Sequence, residues 1–133
     1  MGPIVKVFVA RAALILGAIL AMSLGSSPAS AQEHCGAIAI SQSTGRLGWS
    51  YDFANRTEAE NAAKRECAKG ASDCRVPVWF CNACGAIATT PDLGYGSGWA
   101  ETREDAERNA IKVCQDYNPG KRCSIQRWVC TTR

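Results

Sequence analysis

The sequence is poor in the side chains that most enzymes use to move protons, because His34 is its only histidine. It also lacks a large charge excess, since 15 basic and 12 acidic residues give a formal net charge of +3. Lys6 and Arg11 precede the predicted mature chain, and subtracting them from +3 leaves +1. A near-neutral chain has no electrostatic reason to bind nucleic acid. We therefore expect no nucleic-acid partner.

Long hydrophobic runs are absent apart from one near the N-terminus, from Ala12 to Leu24. That run is short for a membrane-spanning helix, which needs roughly 20 apolar residues. Basic residues precede it and small residues ending at Ala31 follow it, which is typical of a secretory signal peptide. We predict that residues 1–31 are cleaved before Gln32, leaving a secreted or periplasmic domain over 32–133 with no membrane span. An uncleaved membrane anchor is the alternative.

The chain carries eight cysteines, and all of them lie in the predicted mature part. A dense, even set of cysteines in a small exported chain indicates a disulfide framework. Such bridges matter because a domain of about 100 residues buries only about two-thirds of the surface of its unfolded chain. The eight are Cys35, Cys67, Cys74, Cys81, Cys84, Cys114, Cys123 and Cys130.

An internal repeat organises these cysteines. The segment Cys-Gly-Ala-Ile-Ala occurs at 35–39 and again at 84–88, and further matches follow in order at offsets of 47 to 50. Ordered matches at a nearly fixed offset indicate a duplication. The two repeats cover about 35–81 and 84–130. The matched pairs include Cys67 with Cys114, Cys74 with Cys123, Cys81 with Cys130, Trp49 with Trp99, and Trp79 with Trp128.

Each repeat follows a ββαβ plan. Short runs from Gly36 to Ile40 and from Leu47 to Tyr51 flank a turn, which is typical of a β-hairpin. Asn55 and Thr102 each precede an acid by three residues, as helix N-caps do. Pro77 lacks an N–H and indicates that the last strand of the first repeat is an edge strand. We predict an α+β fold, one compact disulfide-stapled domain whose two helices pack on antiparallel sheet.

The repeat narrows the pairing of the cysteines. One cysteine ends each helix and another opens the following strand, which favours a short-range bridge in each unit. The remaining four begin a first strand or end a last strand, and they bridge within a unit if those strands are antiparallel neighbours. The predicted bridges are Cys35–Cys81, Cys67–Cys74, Cys84–Cys130 and Cys114–Cys123. The main rival set joins the units through Cys35–Cys84 and Cys81–Cys130.

Several segments together match the pattern of a known protein family. They are Cys-Gly-Ala-Ile-Ala in both repeats, Gly-Trp-Ser-Tyr at 48–51, Val-Trp-Phe at 78–80 and Arg-Trp-Val-Cys at 127–130. On these segments the chain resembles the bacterial exported proteins grouped as domain of unknown function 4189. The resemblance implies export and a compact α+β repeat domain, and it supplies no catalytic residues. Many members have an arginine at the position of Cys81, so the resemblance supports the Cys35–Cys81 bridge less than the others.

Four features are candidates for chemistry, and each has a plainer structural explanation. The Cys-x-x-Cys at 81–84 fits a redox dithiol or half a zinc site, but it joins two predicted strands, which favours structural bridges. His34 lies beside the predicted new N-terminus, where chains are poorly ordered. The glycine-rich segment 94–98 lacks the Lys-Ser/Thr of a phosphate loop, and we expect its glycines to let tryptophan rings pack flat in a hairpin.

Paired carboxylates are the remaining route to catalysis. A hydrolase of that kind would draw on acids of the predicted helices, where lysines and arginines also stand. A solvated, salt-bridged helix face is the favoured interpretation. We expect no catalytic residue, no cofactor and no metal. The acids concerned are Glu58, Glu60, Glu104, Asp105 and Glu107.

The four tryptophans come in repeat pairs, as the residues of a duplicated core would. We predict that they are core residues. Rings that are partly exposed would instead mark a binding face. That face would comprise Trp49, Trp79, Trp99, Trp128 and Arg127.

The sequence favours an exported module that binds a protein partner, as an inhibitor or effector does, in the cell envelope or outside the cell. A rigid scaffold without active-site residues suits such a role, because preorganisation lowers the entropy cost of binding. The alternatives are a small hydrolase with paired carboxylates and a structural or stress-resistance component of the envelope.

Overall fold

The structure is a computed structural model that describes Gly25 and residues 32–132. Apart from Gly25, the predicted signal peptide therefore lies outside the described residues. Within the described part, no helix combines the length and the apolar character that crossing a membrane requires.

The chain forms two consecutive ββαβ units, and the predicted α+β class is confirmed. The first unit contains β1 (Cys35–Ser41), β2 (Leu47–Phe53), α1 (Arg56–Ala68) and β3 (Cys74–Cys81). The second contains β4 (Cys84–Thr89), β5 (Tyr95–Ala100), α2 (Arg103–Tyr117) and β6 (Ser124–Cys130). Each unit has its own antiparallel sheet with the first strand in the centre, in the orders β2-β1-β3 and β5-β4-β6. The strand that contains Pro77 is an edge strand, as predicted.

Both helices begin at the predicted caps. The side chain of Asn55 accepts a hydrogen bond from the backbone N of Glu58 at 2.9 Å, and Thr102 accepts one from Asp105 at 3.2 Å. These bonds satisfy backbone donors that a helix N-terminus leaves free. The buried stripe of each helix consists of small side chains, which lets the helix lie close to its sheet. The stripes are Ala59, Ala62, Ala63 and Cys67 in α1, and Ala106, Ala110 and Cys114 in α2.

Glycines in the strands beneath the helices also make this close approach of helix and sheet possible. A Cβ at Gly96 would lie 2.0 Å from the backbone N of Cys114, and one at Gly48 would lie 2.2 Å from the carbonyl O of Ala63. Neither position has room for a side chain while the helix stays in place. The glycines of segment 94–98 thus make room for α2, and the expectation that they let tryptophan rings pack flat is wrong.

The two sheets face each other, which produces four layers in the order helix, sheet, sheet, helix. Strand β1 shows why, because Ala37 and Ala39 pack against α1 while Ile38 and Ile40 lie in the core between the sheets. On the central strands, small residues therefore lie on the helix side of each sheet, and large ones fill the space between the sheets. That central core comprises Ile38, Ile40, Val78, Phe80, Ala83, Ile87 and Val129.

Matching hydrogen bonds join the ends of the two units. His34 N donates to Asn82 Oδ1 at 3.1 Å, and Asn82 N donates to the His34 carbonyl at 2.8 Å. At an offset of 49, Ala83 N donates to Thr131 Oγ1 at 3.0 Å, and Thr131 N donates to the Ala83 carbonyl at 2.9 Å. The two units thus keep equivalent contacts at equivalent positions.

Four disulfides frame the domain, and they include every cysteine. In each unit one bridge joins the first strand to the last, and another joins the helix to the start of the last strand. They are Cys35–Cys81, Cys84–Cys130, Cys67–Cys74 and Cys114–Cys123. These are the pairs that the repeat favoured over the cross-unit set.

Candidate functional site

The four tryptophans lie at the surface, so the prediction that they are core residues is wrong. Each stands on an edge strand, and the centre of the sandwich is filled from β1, β3, β4 and β6 by aliphatic side chains and Phe80. Trp79 and Trp128 are paired with Ala37 and Ala86, which face the helices, so these two rings lie on the helix sides of the sheets, beside the first residues of α1 and α2. The exposed fractions are 38% for Trp49, 40% for Trp79, 40% for Trp128 and 59% for Trp99.

Three of these rings are covered by arginines of the same chain. The guanidinium carbon lies 4.3 Å from the ring centroid for Arg56 over Trp79, 3.9 Å for Arg103 over Trp128, and 3.8 Å for Arg127 over Trp49. These distances are within the range of cation–π contacts. Within residues 32–132, no cation lies over the ring of Trp99.

Two of the three arginines lie at the N-termini of the helices. Arg56 and Arg103 are the first residues of α1 and α2, and each also pairs with an acid one turn later. The Nε of Arg56 is 2.6 Å from Glu60, and the Nε of Arg103 is 2.8 Å from Glu107. The sequence analysis missed both arginines. Arg56 and Arg103 are 47 residues apart, as are the helix caps that directly precede them. That shared spacing could have identified the two arginines as a repeat pair.

Two equivalent grooves follow from the packing of the sheets. Strand β3 runs along β5 on one side of the sandwich, and β6 runs along β2 on the other. The β3–β5 groove encloses about 370 Å³ and is lined by Pro77, Val78, Trp79, Phe80, Cys81 and Trp99. The β2–β6 groove encloses about 240 Å³ and is lined by Trp49, Tyr51, Trp128, Val129, Cys130 and Thr132.

The two grooves differ in the position and the covering of their tryptophans. In the β2–β6 groove Arg127 stacks on Trp49, and its Nε is buried with no hydrogen-bond partner among the described residues. The repeat equivalent of Arg127, at an offset of 49, is Val78 in the β3–β5 groove. The strand registers pair Trp49 with Ile38 and Ser97 with Ile87, so Ser97 rather than Trp99 is the structural counterpart of Trp49. Trp99 is the most exposed of the four rings.

The carboxylates considered for a hydrolase belong to solvated helix faces. Glu60 and Glu107 pair with arginines of their own helices, and Asp105 pairs with Arg108. Glu58 and Glu104 are exposed in the first helical turns, where an acid stabilises the helix through its dipole. The predicted salt-bridged arrangement is therefore confirmed for these pairs.

The two carboxylates whose pKa is clearly lowered accept hydrogen bonds that stabilise turns. Hydrogen bonds from the Ser41 hydroxyl and the backbone N of Ser43 lower the pKa of Asp73 below its ordinary 3.8. Bonds from Lys121 and from the Thr90 hydroxyl lower the pKa of Asp92 in the same way. Both groups are stabilised as anions, so neither is suited to donate a proton near neutral pH.

His34, the Cys-x-x-Cys at 81–84 and one possible group of metal ligands also take part in structural contacts. His34 Nδ1 lies 3.7 Å from Asp52, near the end of the described chain. Cys81 and Cys84 belong to different disulfides, so in this structure they are not a dithiol. Ligand atoms of Glu33, Cys35 and Cys81 lie within 4.8 Å of one another, but both sulfurs belong to one disulfide and neither is a thiolate.

Comparisons with known proteins agree with this organisation. A family described as Domain of unknown function (DUF4189) matches residues 35–130, which contain all eight cysteines and all four tryptophans. Among solved structures, the chain is similar to one titled "NMR structure of Rv1813c from Mycobacterium tuberculosis". That similarity has 28% sequence identity and a TM-score of 0.53, and it covers 96% of this chain and 99% of that chain. A comparison with curated proteins finds no match.

Proposed function

This chain belongs to the DUF4189 family, whose function is unknown, and from that premise we propose that it is an exported module that binds a protein partner through the β3–β5 groove. The observation that carries the proposal is the 59% exposure of Trp99 on a rigid strand, opposite the apolar wall formed by Pro77 and Val78. Tryptophan is enriched among the residues that dominate the energy of protein interfaces.

The scaffold suits such a role because the groove needs little ordering on binding. The strand that carries Trp79 is fixed by disulfides at both ends, Cys67–Cys74 and Cys35–Cys81. The strand that carries Trp99 is paired along its length to β4. Side chains that are already positioned lose little conformational freedom when a partner binds.

The chemistry of the site supports binding rather than catalysis. The side chains that line the β3–β5 groove are apolar, aromatic or disulfide-bonded, and none of them is an acid, a base or a free nucleophile. Acid–base catalysis needs a titratable group within hydrogen-bond reach of the substrate. We therefore place the module in the class of non-catalytic binding proteins, secreted or periplasmic.

Export belongs to the same proposal and is tested by mass. Four disulfides are consistent with an oxidising compartment. The intact mass of the protein recovered from the exported fraction is expected to match a chain that begins at Gln32 and lacks the eight hydrogens of four disulfides. A mass that includes residues 1–31 would contradict cleavage.

Photocrosslinking tests the binding role. A p-benzoylphenylalanine at position 79, in the groove, is expected to give one adduct of defined mass in the exporting cell. Excess unlabelled protein should compete the adduct away. The matched control carries the same group at Tyr117, which is 79% exposed on the C-terminal turn of α2 and outside the groove. Equal labelling from both positions, or no saturable adduct at position 79, would refute the proposed function.

A further inference from the structure

A further cleft borders the edge strand β5, outside the β3–β5 groove. It encloses about 420 Å³ between the C-terminal turn of α2 and the turn that follows β1. We call it the tyrosine cleft, and we propose that it binds a neutral oligosaccharide built of pyranose rings. Saccharide binding is a property beyond the protein partner of the β3–β5 groove. The polar and aromatic side chains of the tyrosine cleft are Gln42, Tyr95, Ser97, Tyr117 and Asn118.

The lining of the tyrosine cleft matches the two kinds of surface that a sugar presents. A pyranose ring has an apolar C–H face, which packs on aromatic rings such as those of Tyr95 and Tyr117, and a rim of hydroxyl groups. A hydroxyl both donates and accepts hydrogen bonds, and the amide of Gln42 offers both kinds of partner. None of the described side chains that line the cleft is charged. A neutral ligand is therefore favoured, because an ion would lose hydration without gaining a partner of opposite charge.

Most of the cleft is already positioned for a ligand. The ring of Tyr95 packs against the core between the sheets, and Asn118 is held because its Nδ2 donates to the carbonyl of Cys114 at 2.9 Å. The hydroxyl of Ser97 donates to a carbonyl of β3 at 3.3 Å, which joins the two edge strands beside the cleft. Tyr117, the last residue of α2, is 79% exposed. Its ring is thus open to a sugar, while the other side chains lose little freedom on binding.

A smaller cavity extends the tyrosine cleft. It encloses about 130 Å³ and shares Gln42 and Tyr95 with the cleft, so an oligosaccharide of several rings can occupy both. Asp73 and Arg75 line this extension and carry opposite charges. The Asp73 carboxylate also accepts hydrogen bonds within its own turn. The extension therefore does not favour an ionic ligand of either sign.

The first unit shows that the fold does not require such a cleft. Trp49 stands where the second unit has Ser97, as the strand registers show. At the same offset of 48, Arg46 stands where the second unit has Gly94. The cavity that these two large side chains line encloses only about 220 Å³. In addition, α2 has 15 residues against 13 in α1, and the longer helix brings Tyr117 to the cleft.

An NMR titration of the purified, oxidised protein tests saccharide binding. The probes are chitohexaose, cellohexaose and maltohexaose. We expect at least one of them to shift the backbone amide resonances of Tyr95, Gly96 and Asn118 saturably, and to leave the indole N–H resonance of Trp99 in the β3–β5 groove unmoved. Hexagalacturonate, which carries a carboxylate on each ring, should bind at least about 5-fold more weakly than the best neutral probe.

Three variants identify the side chains that hold the saccharide. Tyr117→Ala is expected to weaken binding about 10-fold, whereas Tyr117→Phe keeps the ring and should stay within about 3-fold of the unmodified protein. Gln42→Ala removes the amide and should weaken binding about 2- to 10-fold. The matched control is Tyr51→Ala, since Tyr51 is 56% exposed on β2 outside the cleft, and its loss should leave the affinity unchanged. Far-ultraviolet circular dichroism checks that each variant is folded.

The pattern of responses decides between the possible ligands. Binding of chitohexaose alone supports an N-acetylated glycan, and binding of all three neutral probes supports pyranose chains in general. No saturable response to any of them would overturn the assignment, as would binding that Tyr117→Ala leaves unchanged or hexagalacturonate binding as tight as that of the neutral probes. A response to hexaproline without a response to a saccharide would identify a proline-rich protein segment as the occupant and would also overturn it. Crosslinking at position 79 is read separately, because a saccharide held at Tyr117 gives no protein adduct.

Discussion

Phe80 is expected to be coupled to a glycine of the opposite sheet. Its ring is 1% exposed in the core between the sheets. A Cβ at Gly85 would lie 2.3 Å from Cε1 of that ring, a distance that no real methyl group tolerates. Gly36 faces the ring from the same sheet, and a Cβ there would lie 2.7 Å from Cε2. The ring therefore occupies the space that two missing side chains leave.

The magnitudes follow from this packing. Phe80→Ala is expected to lower the free energy of unfolding by about 3–5 kcal/mol through lost burial and the cavity. Gly85→Ala should lower it by about 1–3 kcal/mol, because the new methyl group forces the ring to move. In the double variant the methyl group enters the space vacated by the ring. The two effects are then non-additive, with a coupling of at least about 1 kcal/mol.

Urea unfolding of the oxidised protein, followed by far-ultraviolet circular dichroism, measures all four members of this cycle. Gly36→Ala is the matched control, since its methyl group would also lie 2.6 Å from the carbonyl O of Ser50. That clash remains when the ring of Phe80 is removed, so the control should be rescued less. Additive effects of Phe80→Ala and Gly85→Ala would refute the packing argument.

Three further perturbations test other contacts. Replacing Cys84 and Cys130 by serine opens a loop with a sequence separation of 46 and should lower the free energy of unfolding by about 4 kcal/mol; an unchanged urea midpoint would mean that this bridge is absent from the oxidised protein. The hydrogen bonds to Asp73 lower its pKa, so they stabilise the fold above pH 3.8 and this contribution is lost as the pH falls through the lowered value. Asp73→Asn should therefore reduce the loss of unfolding free energy at acid pH. An unchanged pH dependence of the free energy of unfolding would contradict this. Asp52→Ala removes the acceptor of two bonds from the C-terminal segment and should increase acrylamide quenching of Trp49, whereas unchanged quenching would show that these bonds do not keep the ring covered.

The repeat made most of the fold predictable. Two ββαβ units, both helix caps and the edge position of Pro77 follow from residue types at fixed spacing, and the structure confirms them. Such features depend on local contacts or on the comparison of one unit with the other. The disulfide pairs of the structure are also those that the repeat favoured, because each joins elements of a single unit.

The positions of the tryptophans were not predictable in the same way. A large apolar side chain that recurs in both units looks like a core residue unless the sequence shows which face of each strand is already filled. The alternation of Ala37, Ile38, Ala39 and Ile40 contains that information, since both faces of β1 are apolar but only one has large side chains. A central strand with two apolar faces lies between two layers, and bulky rings on its neighbours are displaced to the edges. Of the three stacked arginines, only Arg127 on Trp49 joins the two units, and no pattern within one unit reveals that contact.

The end of β2 has an irregularity that the equivalent strand β5 lacks. The strand registers match Ser50 with Gly98 at an offset of 48, whereas the helix caps match at 47, so the first unit has one more residue between this strand and the helix. Asp52 lies at this irregular end of β2 with a φ of 60°, and its carboxylate accepts bonds from the backbone N and the hydroxyl of Thr132 at 2.8 and 2.7 Å. These bonds hold the end of β6 beside β2, where Arg127 covers Trp49. The second unit lacks this irregularity, and the residue equivalent to Thr132 is Ala83, which has no side-chain donor. The irregular end of β2 and these two bonds thus distinguish the β2–β6 groove, in which Arg127 covers Trp49, from the β3–β5 groove, in which Trp99 is exposed.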